Sequence, residues 1–354
     1  MKIKNIAHIN PKASIKPLDF INYIDTSSVS NGSLLGITYL ENNFPSRAKR
    51  IIHKSDIIIS SVRPNLEHNY FVKNSILNGV CSTGFILVRI NPNTNYLPLY
   101  VYYFLTSIQR VKLYTAIAET SQTTFPAFNK EVISNLNLPE ISLIDQQHIV
   151  DTIGSIDELI ENNSCYIEKL NHYLELLFSD ISEKTSSFIP LSKLITFKKG
   201  KKPIKTNLKN IGKPYLTIDA IENKYTLYTN DAKCVLISEN DIMMVMDGAS
   251  SGKVFIGVEG YLGSTLAKII NNSDYSTYSI FLFLKANEKM ISKNTTGSAI
   301  PHANKDYILG LAFPVINQSI DNYLYSIFNT LIDKRKENNK LKVLKNLYLN
   351  KYFD

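Results

Sequence analysis

Residues 124–141 read TFPAFNKEVISNLNLPEI, and 175 positions later residues 299–316 read AIPHANKDYILGLAFPVI. Without a gap, this shift lays Pro126 on Pro301, Asn129 on Asn304, Lys130 on Lys305, Leu136 on Leu311, Pro139 on Pro314 and Ile141 on Ile316. It also carries Ile149 onto Leu324, Ile156 onto Leu331 and Phe178 onto Phe353. Two helices often resemble each other by chance, but matched prolines and an Asn-Lys pair do not, so the chain reads as an internal duplication. Upstream of each copy lie runs rich in Ile and Val that have the character of strands: IIHKSDIII (51–59), FILVRI (85–90) and VLISENDIMMVM (235–246). Asn31-Gly32, Asn78-Gly79, Asp247-Gly248 and Ser251-Gly252 punctuate them as turns. Asp56-Ile57-Ile58 and Asp241-Ile242-Met243 read as equivalent strand starts, and short helices are expected near 98–110 and 276–289.

Downstream of each copy the pattern becomes helical. From Ser142 to about Asp180 there is no proline and a single glycine, Gly154. Ile149, Ile153, Ile156 and Ile160, then Ile167, Leu170, Leu174 and Leu177, repeat at alternating three- and four-residue steps, the mark of a coiled-coil seam. The second copy continues through Leu324, Phe328, Leu331, Leu341, Leu344 and Tyr348, with a slip in register between Arg335 and Leu341. Residues 145–180 hold eight acids and one base, whereas residues 318–353 hold three acids and seven bases, so the two helices complement each other in charge. An antiparallel pair of about 35 residues spans roughly 50 Å. Asn163 interrupts the first seam and Asn338 stands at the equivalent position in the second. A buried polar pair of this kind fixes register, which predicts that the two face each other; two side chains simply turned to water is the competing reading.

Composition narrows the class. With 354 residues and 44% hydrophobic content, the chain can bury two or three cores, and wholesale disorder is excluded. Lys plus Arg number 39 against 31 acids, a net charge of +8 that favours an acidic partner such as nucleic acid. Cys81, Cys165 and Cys234 are odd in number and far apart, which argues against a disulfide framework. No apolar run is long enough to cross a bilayer and Met1–Asn10 lacks a signal core, so a cytoplasmic location is expected.

Catalytic motifs are wanting. Asp247-Gly248-Ala249-Ser250-Ser251-Gly252-Lys253-Val254 departs from a phosphate-binding loop, because three residues rather than four separate the glycines and Val254 replaces the hydroxyl needed at magnesium. A basic turn presenting two hydroxyls is the better reading. The six histidines show no metal-ligand spacing, and no nucleophile elbow is present.

Each globular part instead carries a basic cluster. Arg47, Lys49, Arg50, His53 and Lys54 precede a strand and Arg63 follows it; Lys198, Lys199, Lys201, Lys202, Lys205 and Lys209 run without an intervening acid. Such density neutralises a phosphate backbone, while hydroxyl and amide side chains on fixed loops read base edges. Thr120-Ser121-Gln122-Thr123-Thr124 and Thr295-Thr296-Gly297-Ser298 lie just before the repeated prolines. A solvated lysine loop and a helix-capping hydroxyl are the competing readings of each cluster.

Three segments carry a family resemblance. LNLPEISLIDQQHIVDTIGSIDELIENNSCYIEKLNHYLELLF (136–178) is similar to the central helical region of the DNA-specificity subunits of Type I restriction–modification systems. AKRIIHKSDIIISSVRPN…STGFILVRI and PYLTIDAIEN…ISENDIMMVMDGASSGKVFIGVEGYLGSTLAKI resemble their target recognition domains. The resemblance implies an α+β fold with two pseudo-repeated target recognition domains, 1–140 and 183–316, separated by a pair of long antiparallel coiled-coil helices, 141–182 and 317–354. It implies a chain that performs no chemistry, reads an interrupted two-part target in double-stranded DNA, and carries two adenine methyltransferase subunits and two restriction subunits. S-adenosylmethionine, ATP and magnesium would then sit on those partners alone. Residues matched for DNA contact are Arg47, Arg50, Arg63, Gln122, Thr123, Thr124 and Lys130 in the first domain. In the second they are Lys199, Lys201, Lys202, Ser250, Ser251, Lys253, His302 and Lys305. Lys199 to Lys202 are expected on phosphates, and Arg63, Gln122, Ser250 and Ser251 nearer base edges. A free-standing DNA-binding regulator and an enzyme with a dispersed active site are the rival readings.

Overall fold

Ile57–Ser60 and Ile242–Val245 are fully buried on both faces, as the unbroken runs of Ile and Met demand, and each forms a central strand of a four-stranded antiparallel sheet. In this computed structural model, which describes residues 1–15, 18–120, 126–209, 211–221, 227–297 and 300–353, the chain divides into two compact units. One comprises Met1–Glu161 with Asn339–Asp354; the other is Asn162–Asn338.

In the first unit the inner sheet runs Ala7–Ile9, Phe85–Ile90, Ile57–Ser60, Asn69–Phe71. A second sheet runs Thr38–Glu41, Phe20–Ile24, Gly79–Ser82, Ala48–Ile51, in which the middle two strands are parallel. The second unit repeats both. Its inner sheet is Ile195–Lys199, Leu266–Asn271, Ile242–Val245, Val254–Phe255. Its other sheet is Leu227–Thr229, Lys213–Leu216, Gly260–Leu262, Leu236–Ile237, again with the middle pair parallel. Helices follow in matching order: Pro98–Leu105, Ile108–Glu119 and Lys130–Ser134 in one, Thr277–Ala286, Glu288–Lys293 and Lys305–Gly310 in the other.

The correspondence reaches single atoms. Asp56 accepts from the backbone N–H of His53 at 2.7 Å, and Asp241 from that of Ser238 at 2.8 Å, each closing the turn before its strand. Asp56 also pairs with Arg89, and Asp241 with Lys268, both at 2.7 Å. The backbone N–H of Arg63 donates to the Pro126 carbonyl, and that of Gly248 to the Pro301 carbonyl, both at 2.9 Å.

Two long helices, Leu143–Lys184 and Gln318–Phe353, contribute to both units. In the first unit Ile149 and Ile153 join Leu349, Phe353, Tyr100 and Phe104 in one core, and the Asp157 carboxylate takes Lys345 at 2.6 Å and the Tyr103 hydroxyl at 3.0 Å. In the second, Leu174 and Phe178 pack with Leu324, Phe328 and Leu331. There Asn338 Nδ2 donates to Ser164 Oγ at 3.1 Å, and the hydroxyls of Tyr173 and Tyr323 lie 3.5 Å apart, so the helices run antiparallel. Asn163 and Asn338 are both buried and sit at the same level, the amide of Asn338 engaging the neighbour of Asn163.

Along the expected seams Ile149, Ile153, Ile156 and Leu174 are buried on the first helix, with Ile160, Ile167, Leu170 and Leu177 half-buried, and Leu324, Phe328 and Leu331 are buried on the second. Leu341 and Tyr348 are half-buried. Leu344 is a correction: it is 41% exposed, and the inward position belongs to Lys345 and then Leu349. Lysine takes that place because its ammonium finds Asp157 and stands 5.8 Å from the Tyr103 ring centroid.

The same shift relates Gln146 and Asp321. Gln146, fully buried, accepts from the Leu97 N–H at 2.9 Å and donates to the Asn95 carbonyl at 2.9 Å. Asp321, equally buried, accepts from the Ser276 N–H at 2.8 Å, the Ser276 hydroxyl at 2.9 Å and the Ser279 hydroxyl at 2.5 Å. Each long helix thereby fastens the first turn of a shorter one, satisfying donors that a helix start leaves orphaned. Among the described residues no helix is long and apolar enough to cross a membrane.

Candidate nucleic-acid interface

In the first unit Arg47, Arg63 and Lys130 are exposed, while Arg50 is half-buried and donates to the Thr83 carbonyl at 3.0 Å. Gln122, Thr123 and Thr124 lie outside the described residues. Arg63 holds a left-handed backbone with φ of 48°. Such a conformation costs a residue with a side chain about 1–2 kcal/mol. The matching position in the second unit is Gly248, φ 106°, where the strain vanishes.

In the second unit Lys199, Lys201, Lys202, Lys253, His302 and Lys305 are exposed and Ser250 is half-buried. Ser251, expected nearer base edges, is not presented to solvent. It is buried, its hydroxyl lies 2.7 Å from the Gly248 carbonyl and 2.9 Å from that of Pro301, and its own carbonyl accepts from the Ser292 hydroxyl at 3.0 Å. The expected pair of presented hydroxyls thus reduces to one, because the other locks the turn.

Asp247 organises the neighbourhood. One carboxylate oxygen is 2.8 Å from His302 Nδ1 and the other 3.0 Å from Lys199 Nζ. They border a cavity of about 320 Å³, also lined by Thr296, Asn304 and Lys305. The floor is built by backbone pairing: Thr296 and His302 exchange N–H···O bonds at 2.8 and 2.7 Å, and Asn304 caps the helix that begins at Lys305 by accepting from the Tyr307 N–H at 3.1 Å. Lys305 Nζ stands 5.9 Å from the Phe197 ring centroid. Lys199 and His302 are held on the Asp247 carboxylate, and Lys305 and Asp306 also line the cavity, so the rim is mixed in charge, with Lys199 and Lys305 the groups suited to phosphate oxygens.

Partial burial would raise the Asp247 carboxyl, but the hydrogen bonds from His302 and Lys199 and their charges outweigh it and hold it below the ordinary 3.8. Because the folded value is the lower one, the stabilisation is complete above about pH 4 and is lost as pH falls through the folded value. Asp247→Asn is therefore expected to lessen the loss of stability in urea unfolding between about pH 5 and pH 3. An unchanged difference between the two pH values would contradict it.

Both copies therefore hold a turn at the same place, facing a strand bridge, with cationic side chains around it. Residues 1–172 and 183–346 match the family model described as the Type I restriction modification DNA specificity domain. The chain belongs to that family. The HindI specificity subunit of Haemophilus influenzae is 32% identical over 166 residues, 45% of this chain and 36% of that one. The MjaVIII specificity subunit of Methanocaldococcus jannaschii is 31% identical over 135 residues, 36% of this chain and 31% of that one. These matches span about a third of the length of the curated relatives. The S subunit of the Type I restriction-modification system from M. genitalium has a similar fold at 14% identity, with a TM-score of 0.60 over 100% of this chain and 95% of that one.

Proposed function

We propose that this chain is the sequence-reading subunit of a Type I restriction–modification complex. Each unit reads one part of an interrupted target in double-stranded DNA, and the chain positions adenine methyltransferase and restriction subunits without catalysing either reaction. The observation that carries this reading is the duplication itself: one chain of a DNA-specificity family holds the same pair of sheets twice, each with its own basic loops. Two copies that have diverged in loop residues while keeping their turns suit a target with two unlike halves. The strained backbone at Arg63 supports it further, since a position that tolerates glycine keeps an arginine where base edges would be met. Tyr166, Tyr173 and Leu176 leave an exposed apolar stripe on one long helix, which fits docking of partner helices from two methyltransferase subunits, with two restriction subunits joining them. S-adenosylmethionine belongs to the methyltransferase in this scheme, and ATP with magnesium to the restriction subunits.

Long-read methylation mapping of cells that co-express the chain with its methyltransferase tests the proposal. A new methyladenine mark at an interrupted, asymmetric sequence, dependent on both units, is the expected result. A soluble, active complex that leaves no new mark would overturn it in favour of a free-standing DNA-binding protein.

A further inference from the structure

The loop between Ile195–Lys199 and Lys213–Leu216 carries aliphatic side chains into solvent: Ile204 is 75%, Leu208 73% and Ile211 56% exposed. These side chains do not hang from a loose chain. The Ile204 N–H donates to Asp231 Oδ2 at 2.9 Å, and Asn207 exchanges backbone N–H···O bonds with Tyr228 at 2.9 and 2.8 Å. The Asn207 side-chain oxygen takes the N–H groups of Lys209 and Ile211 at 3.0 and 3.2 Å, and the Thr229 hydroxyl donates to the Lys205 carbonyl at 2.8 Å. Ile204 to Lys209, and Ile211, are tied in place by these bonds, and their apolar side chains stand exposed.

The corresponding connection in the first unit does the opposite. Ile15 and Leu18 turn inward onto Ile21, Tyr23, Ala48 and Val80. At this connection the outward display thus belongs to the second unit. Charge identifies what it faces. Lys201, Lys202, Lys205 and Lys209 alternate with the aliphatic residues, and among the described residues none of the four has a carboxylate at ion-pair distance, whereas Lys213 pairs with Glu259 at 2.5 Å. Unneutralised lysines interleaved with fixed aliphatic tips fit a polyanion that also offers small apolar groups.

We propose that this loop enters the major groove and that Ile204 and Leu208 read the 5-methyl group of thymine in the half-site assigned to the second unit; the inference rests on the DNA-reading function proposed above. A branched aliphatic chain can neither donate nor accept a hydrogen bond. The one apolar group on a major-groove base edge is the thymine methyl, so discrimination by these side chains must act there. The lysines supply the sequence-independent hold on the flanking phosphates.

The experiment uses the full chain assembled with its methyltransferase and duplexes of the mapped target in which each thymine of that half-site is replaced in turn by deoxyuridine, removing only the methyl group. Wild-type complex is expected to lose about fourfold in affinity at one or two positions, the worth of one buried methyl. The Ile204→Ala/Leu208→Ala complex should bind the thymine duplex more weakly and show no further loss with deoxyuridine. Both side chains are exposed, so an unchanged thermal midpoint is expected for the variant. Wild-type complex indifferent to deoxyuridine, or a deoxyuridine penalty that survives in the variant, would sink this inference while leaving the DNA-reading function standing. A variant that sheds its methyltransferase but keeps its thymine preference would reassign the loop to a protein partner. A complex with no sequence-specific binding at all would overturn the underlying function, and this inference with it.

Discussion

Phe328→Ala is expected to destabilise the second unit by about 3–5 kcal/mol. The ring is buried and lies 4.3 Å from that of Tyr278 at an interplanar angle of 17°, with Leu174, Phe178, Leu324 and Leu331 in the same core. It is where the long helix Gln318–Phe353 meets Thr277–Ala286, so truncation removes an aromatic stack and an interhelical contact together. The surrounding helices have little freedom to close the gap, because Asp321 and Leu324 anchor the same stretch from inside. Urea unfolding followed by circular dichroism reads the effect. A loss below about 1 kcal/mol would mean that the helices collapse onto the void after all.

Asp321→Ala should cost about 2–4 kcal/mol, since it deprives three donors of a charged acceptor in a buried place. The carboxylate holds the Ser276 N–H and the hydroxyls of Ser276 and Ser279, while the Ser276 hydroxyl in turn caps Thr277–Ala286 by accepting from the Ser279 N–H at 3.2 Å. Asp321→Asn retains one acceptor oxygen and should recover part of the loss. The equivalent change in the first unit, Gln146→Ala, should cost less, because hydrogen bonds to a neutral amide are weaker than those to a carboxylate. Equal losses at Asp321 and Gln146 would show that charge contributes nothing to this fastening.

What the sequence made legible was whatever repeats or is local. Prolines and Asn-Lys pairs survive duplication in register, and with the heptad steps they located both long helices and the strands that precede them. The strand starts at Asp56 and Asp241 were readable for the same reason, because a carboxylate closing its own turn needs no distant partner. Tertiary choices were not readable. Lys345 takes the inward position in place of Leu344 because Tyr103 and Asp157, far away in sequence, receive its ammonium. Ser251 looked like a presented hydroxyl until Pro301, fifty residues away, supplied the carbonyl that engages it. Asp247 passed as a turn residue because its partners Lys199 and His302 come from two other segments. Gln146 and Asp321 were legible in principle, since the 175-residue shift relates them, but a polar residue at a helix start looks solvated until the helix it caps is known.

The first unit is closed by Asn339–Asp354, whereas the second is one continuous stretch, Asn162–Asn338. On the ribosome this reverses the usual order in which domains mature. Every residue of the second unit has been made before the segment bearing Leu349 and Phe353 appears, and those two side chains belong to the core around Tyr100 and Phe104. The part of the chain translated first must wait for residues made after the whole second unit before Leu349 and Phe353 can complete that core. Apolar surface that Leu349 and Phe353 would cover thus stays open to solvent throughout synthesis of residues 162–338.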